Sequence, residues 1–319
     1  MSRIIKKIGL ILATLVMVLG SLSLMNVKTA QAADAAGETK IVIGTTKDVS
    51  ALPLYIAKQA NLFQTNNIEV ELKSYDSTAD LDNAITGGEV NVAVTDLVNY
   101  ASFAKKANWK IGSTMPGYYG LAANKKYKNV KKLKGKTIAV NKNDGSKYYL
   151  KQLLKKNKMK LKDVKLKYVD PEATRVSDLK DGSVDAIVAA DPWISEAKAN
   201  GAKILNKQSL KKDNGNVLIF SKDFLSKNAS STRILIDTAN QGIKAFNKNG
   251  FAWTYNILAD FGTSDKARGY LGKEDVSMKK VHKVKKSDFN KAFKYAKSQK
   301  LYKGKISLKK YQVKIKNVK

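Results

Sequence analysis

The chain has 319 residues, 43% of them apolar, and a formal net charge of +32. That composition excludes an intrinsically disordered chain and is enough for two domains with cores of their own. The sequence holds no cysteine, which excludes disulfides, thiolate metal sites, a cysteine nucleophile and a lipid-bearing cysteine.

Residues 1–32 read as a leader. Arg3, Lys6 and Lys7 precede an apolar run over 8–19, and Ala30-Gln31-Ala32 offers an A-x-A cleavage pattern. Together these mark a secretory signal peptide, with an uncleaved membrane anchor as the alternative. No later run is long and apolar enough to span a bilayer, and 33–39 is a polar linker. Residues 40–44 are predicted as a strand, 45–52 as a loop with Asp48 and Ser50, and 53–59 as a helix with Pro53 in its first turn. Residues 68–75 alternate as a second strand, 81–85 are helical up to Gly87-Gly88, and 90–94 form a third, buried strand. Thr95-Asp96 then leads into a helix over 97–106. This βαβαβ order indicates a mostly parallel sheet.

The pattern restarts at 137–140, a β-branched and apolar run. Asn141–Gly145 is turn chemistry, Ser146 is a good N-cap, and Tyr149, Leu150, Leu153 and Leu154 recur at helical spacing. Strand, glycine-bearing loop and helix N-terminus mark the carboxyl-end crevice where open α/β sheets hold ligands; a plain βα turn has the same pattern. A strand over 164–169, a helix over 175–180 and a strand over 184–189 follow. Asp191-Pro192-Trp193 opens another helix, ended by Gly201. Residues 217–220 read as a strand leaving this unit, 233–247 and 253–261 as helices, and the lysine-rich end as helix plus tail. Two α/β lobes with a cleft between them is the economical arrangement.

Charge is unevenly spread. Residues 123–170 and 273–319 each carry 17 basic and 3 acidic groups. After the leader the only arginines are Arg175, Arg233 and Arg268. Lysine is a hydrated point charge, whereas arginine dominates bidentate phosphate and base recognition, so a specific nucleic-acid binder is not expected. Diffuse attraction to a polyanion such as an acidic cell wall, or to anionic lipid headgroups, fits the pattern; so does plain solvation of a basic surface.

Five motifs, in order, carry a family resemblance. Residues 50–63, Ser-Ala-Leu-Pro-Leu-Tyr-Ile-Ala-Lys-Gln-Ala-Asn-Leu-Phe, resemble the opening of solute-binding proteins of ABC importers in the nitrate, sulfonate, taurine and thiamine-precursor family. Ile-Thr-Gly-Gly-Glu-Val-Asn-Val-Ala at 85–93 is similar to that family's G-x-V-D-x-A step. Leu-Lys-Gly-Lys-Thr-Ile-Ala-Val at 133–140, with Gly145-Ser146, resembles its second-lobe opening. Asp-Gly-Ser-Val-Asp-Ala at 181–186 and Asp191-Pro192-Trp193 complete the series. The similarity spans about residues 40–225.

The resemblance implies a two-lobed, periplasmic-binding-protein-like α/β fold of type II with hinge crossovers near 121–124 and 214–217. Lobe 1 would then comprise 40–122 plus 217–319, and lobe 2 123–216. It implies an extracytoplasmic, monomeric receptor that closes on a small solute and delivers it to an ABC permease in the membrane. Family members outside the single membrane usually carry a lipidated cysteine. Without one, the protein is held at the surface some other way or is free, and the basic surface offers an electrostatic substitute.

The expected interlobe site comprises Asp48, Ser50, Thr95, Asp96, Tyr118, Asp144, Ser146, Tyr148, Asp191 and Trp193, with Tyr119 on the same rim. Each aspartate also suits a helix cap. If they converge, their charge disfavours nitrate or a bare sulfonate and favours an amine-bearing, flat solute, a thiamine-precursor pyrimidine or a taurine-like aminosulfonate. Receptors for an alkanesulfonate or nitrate, and a wall-attached adhesion protein, stay open as alternatives. No cofactor, no metal and no catalysis are expected: no histidine or carboxylate cluster has ligand spacing, there is no G-x-S-x-G elbow, and the one histidine, His282, is expected to be exposed among lysines.

Overall fold

The computed structural model describes residues 40–318; the expected signal peptide and polar linker lie outside them. Two five-stranded mixed sheets organise the chain. The first takes β1 (Ile41–Thr46), β2 (Val70–Tyr75), β3 (Val92–Asp96), β4 (Trp109–Thr114) and, after the second sheet is complete, β10 (Asn216–Ser221). Its order is β2-β1-β3-β10-β4. The second contains β5 (Gly120–Ala123), β6 (Thr137–Val140), β7 (Lys165–Tyr168), β8 (Ala186–Ala189) and β9 (Lys203–Lys207), in the order β7-β6-β8-β5-β9. Each sheet thus has a parallel triplet followed by an antiparallel strand, with Ile41 beside Val70 and Leu218 opposite Val94 in the first. In the second, Thr137 lies beside Lys165 and Leu121 opposite Val188.

Three strands of this plan were not expected, β4, β5 and β9. Gly-Leu-Ala-Ala of β5 holds no β-branched or aromatic residue, so it carries little strand signal. In consequence the chain first crosses between sheets over 115–119, around Pro116-Gly117, rather than at 121–124. It returns over 208–215. The two crossings run side by side. The Tyr119 amide donates to Gln208 Oε1 at 2.9 Å, Asn214 Nδ2 donates to the Gly117 carbonyl at 2.7 Å, and the Met115 amide donates to the Asn216 carbonyl at 2.8 Å.

Helices cover the sheets: α1 (Leu52–Gln59), α2 (Thr78–Gly87), α3 (Leu97–Phe103), α4 (Gly145–Lys156), α5 (Glu172–Lys180), α6 (Trp193–Ala199), α7 (Ala229–Asn249), α8 (Asp265–Gly272) and α9 (Lys286–Ser298). The lysine-rich α9 buries Phe289, Ala292, Phe293 and Ala296, an i, i+3, i+4, i+7 stripe. That stripe joins an aromatic cluster in which the Phe289 and Phe293 rings stand 3.9 Å apart and the Tyr100 hydroxyl donates to the Trp109 carbonyl at 2.7 Å. The lysines occupy the other face. His282 departs from expectation: it is half-buried, and its Nε2 lies 2.8 Å from Asp213 Oδ1 on the second crossing. Its segment is pinned to the end of β4, where Thr114 N donates to the His282 carbonyl at 2.7 Å.

Candidate functional site

The loops at the carboxyl ends of β1, β2, β3, β6, β7 and β8 meet in one cavity of about 40 Å³. Six of the ten expected residues line it: Asp48, Ser50, Thr95, Asp96, Asp144 and Trp193. They share its wall with Thr46, Lys47, Asp76, Thr78, Tyr119, Asp170, Glu172 and Arg175, of which only Tyr119 was anticipated. The missed residues follow the same rule as the found ones. Asp76 and Thr78 come directly after β2, and Asp170 and Glu172 directly after β7. Applying the carboxyl-end rule to all parallel strands, not four of them, recovers both.

The other four expected residues sit elsewhere. Tyr118 and Asp191 are buried behind the wall, where the Tyr118 hydroxyl donates to Asp191 Oδ2. Asp191 Oδ1 accepts from Ser195 N at 2.9 Å, capping α6, while Lys207 Nζ stands 3.4 Å from Oδ2. Ser146 turns back to donate to Asp144 Oδ1 at 2.5 Å. Tyr148 faces a second crevice and packs on Tyr295, ring centroids 4.6 Å apart.

The acidic groups are held by donors from the chain. Asp48 accepts from Ser50 N at 2.7 Å and Thr46 Oγ1 at 2.5 Å. Asp96 Oδ1 caps α3 through Val98 N and Asn99 N at 2.7 and 3.0 Å, and its Oδ2 accepts from Gly145 N at 2.9 Å. Glu172 accepts from Ala190 N at 3.0 Å and lies 3.6 Å from the Arg175 guanidinium. Arg175 itself is fully buried and spends NH2 on the Asp170 carbonyl at 2.8 Å and NH1 on the Val188 carbonyl. Lys47 pairs with Asp76 at 2.5 Å. Trp193 Nε1 donates to the Lys47 carbonyl at 2.9 Å, so the ring is tied to the β1 loop of the opposite lobe.

Burial first, and repulsion between neighbouring carboxylates second, raises the proton affinity of Asp96 and Glu172. Burial, then the Asp144 charge, pushes Asp96 up to about 7. Burial, with Asp48 and Asp144 adding to it and Arg175 opposing, pushes Glu172 up to about 8. Just behind the wall Asp82, hydrogen-bonded by Asn99 Nδ2 at 2.8 Å, rises to about 7, chiefly through burial. Burial also raises Asp48 and Asp144. Among the described residues, no group of three or more histidine, cysteine or carboxylate side chains is arranged to hold a metal ion.

The NMT1/THI5-like family model matches residues 49–249, which hold every cavity-lining residue except Thr46, Lys47 and Asp48. The chain belongs to the NMT1/THI5-like family. No curated protein matches its sequence significantly. Solved structures share the fold. The alkanesulfonate-binding protein SsuA from Xanthomonas axonopodis pv. citri, bound to MOPS, superposes with a TM-score of 0.73 at 20% identity, over 88% of this chain and 99% of that one. The periplasmic nitrate-binding protein NrtA from Synechocystis PCC 6803 does so at 0.62 and 15%, over 72% and 69%. The desulfurization enzyme DSZB matches at 0.64 and 14%, over 86% and 96%. Binding proteins thus stand beside an enzyme among the structures that this NMT1/THI5-like chain resembles.

Proposed function

We propose that this chain is the extracytoplasmic solute receptor of an ABC importer, closing its lobes on a small amine-bearing organic solute and presenting it to a membrane permease. The solute classes that fit are a thiamine-precursor pyrimidine and a taurine-like aminosulfonate. One observation carries the reading: Asp48, Asp96, Asp144 and Glu172 converge with Asp76 and Asp170 on a cavity between two sheets, beside the flat rings of Trp193 and Tyr119. A cation restores the charge balance that burial denies these carboxylates, and an aromatic face covers it. The structural neighbours named for binding alkanesulfonate and nitrate support the receptor role. The acidic wall separates this chain's solute from bare anions.

Thermal shift on the purified protein tests this, setting thiamine-precursor pyrimidines, thiamine and taurine against methanesulfonate and nitrate. A solute at a hundred times its Kd adds about 2.7 kcal/mol of stability, a clear shift. Response to pyrimidines or taurine alone is the expected result. Response only to methanesulfonate or nitrate keeps the receptor and overturns the amine. Silence across the panel sinks the receptor.

A second role rests on a different observation. Every lysine in 123–170 except Lys136 and Lys147 is exposed, as is every described lysine in 273–319. These surfaces suit electrostatic retention on an anionic wall polymer, in place of a lipid anchor.

A further inference from the structure

Helix N-termini bind anions because their first N–H groups lack intrahelical partners. Two such termini, those of α2 and α4, face the cavity from opposite lobes. Each has a local cap that takes a single amide: Ser77 Oγ accepts from Asp80 N at 3.0 Å on α2, and Asp144 Oδ1 from Ser146 N at 2.7 Å on α4. At each terminus a further amide or two is taken by a carboxylate from across the cleft. Asp170, after β7 of the second sheet, accepts from Thr78 N at 3.2 Å and Ala79 N at 2.9 Å. Asp96, after β3 of the first, accepts from Gly145 N at 2.9 Å. The exchange is reciprocal.

We propose that Asp96 and Asp170 set the charge specificity of this cleft by acting as built-in anions, each lodged on the helix N-terminus of the opposite lobe. The inference rests on the receptor reading above and gives its charge preference a cause. A free anion entering the cleft must displace a carboxylate that the chain already holds at high effective concentration. The displaced carboxylate then remains nearby as a repelling charge. A cationic solute leaves both bonds intact and gains from the same charges. The fit at α4 is close: a Cβ on Gly145 would sit 3.2 Å from Asp96 Cγ and 3.1 Å from the Tyr119 ring. Asp170 is steadied by Asn141 Nδ2, which donates to its Oδ1. Both carboxylates also close the lobes, because each bond joins one sheet's loops to the other's helix.

The double variant Asp96→Ser/Asp170→Ser tests this. Serine still caps α3 at position 96, but it is too short to reach Gly145 or Thr78 across the cleft. Affinity for methanesulfonate, measured by titration calorimetry at pH 8, where the parent's Asp96 is ionised, is expected to rise at least about tenfold, a change of one decade in Kd. A folded double variant that binds methanesulfonate no better than the parent overturns the inference. Should the double variant fail to fold, Asp170→Asn keeps the size and drops the charge, and the same comparison applies to it with the same two outcomes. Hydrogen exchange gives an independent reading. The Gly145, Thr78 and Ala79 amides are expected to be protected in the solute-free parent, and rapid exchange there contradicts the clasp. The two readings fail separately: a parent that takes no amine removes the amine solute, while a variant that gains no anion removes the built-in anions.

Discussion

Asp96 and Glu172 show why a carboxylate in this cleft is both a cap and a sensor. Asp96 was legible as a cap because it follows a strand and precedes a helix. Its second bond, to Gly145 of the other lobe, has no local signal, since 49 residues separate the partners. The consequence is a pH dependence whose sign is fixed by the direction of the shifts. Asp82 and Asp96 hold their protons up to about 7, and Glu172 up to about 8, against ordinary values of 3.8 and 4.5. Between the ordinary and the raised values, the folded chain carries protons that the unfolded chain has lost, so stability falls as pH rises. Urea denaturation of the solute-free protein should show its stability declining from about pH 5 to about pH 8 on these shifted groups. A profile that is flat or climbs over that range contradicts the buried carboxylates. An amine solute needs the ionised forms and expels the protons. Its affinity is therefore expected to tighten from pH 6 to 8, with proton release visible as a buffer-dependent heat.

At the scale of elements, the parallel triplets and the returning strand β10 were legible, and the other antiparallel strands, β4, β5 and β9, were not. Strands β1, β3, β6 and β8 are short apolar runs between turn signals, and a side chain caps the helix after each of the last three. Neither β4 nor β5 has that context. Trp-Lys-Ile-Gly-Ser-Thr of β4 mixes polar and small residues because Gly112 lies under the Phe220 ring, where a Cβ would come within 2.3 Å of Cε2. Tertiary approach chose the residue there, and the strand pattern gave way. The same happens between α7 and α1. Gly242 lies in the middle of a 21-residue helix, where intrinsic propensity disfavours glycine. A Cβ there would stand 2.0 Å from the Pro53 carbonyl oxygen. Backbone cannot yield as a flexible side chain can, so Gly242→Ala should cost about 1–3 kcal/mol or more through overpacking, despite alanine's better helix propensity. Chemical denaturation checks the sign. A stabilised variant means that α7 does not cross α1 this closely.

Over residues 123–170 the molecule separates its charges: two of the three acidic groups line the cleft and most of the lysines lie on the exterior. Of the acidic groups in 123–170, Asp144 and Asp170 both face the cavity, which leaves that stretch of surface almost purely basic. The sequence counts showed the excess of lysine. They could not show that the few acids were withdrawn inward, because that depends on two loops 26 residues apart meeting at one crevice. The exterior charge was tied above to retention on an anionic envelope, and salt decides it. Exposed charges interact over a screening length of about 8 Å at physiological ionic strength and about 3 Å at molar salt. Cells or purified walls loaded with the protein should therefore release it at about 1 M sodium chloride, where those interactions are screened. Neutralising the lysines of α9 and its following tail to glutamine should lower the salt needed, since those side chains are exposed and, on α9, lie opposite the aromatic stripe that holds the helix. Protein that stays bound in molar salt is held by something apolar, and the lysine surface is then solvation alone.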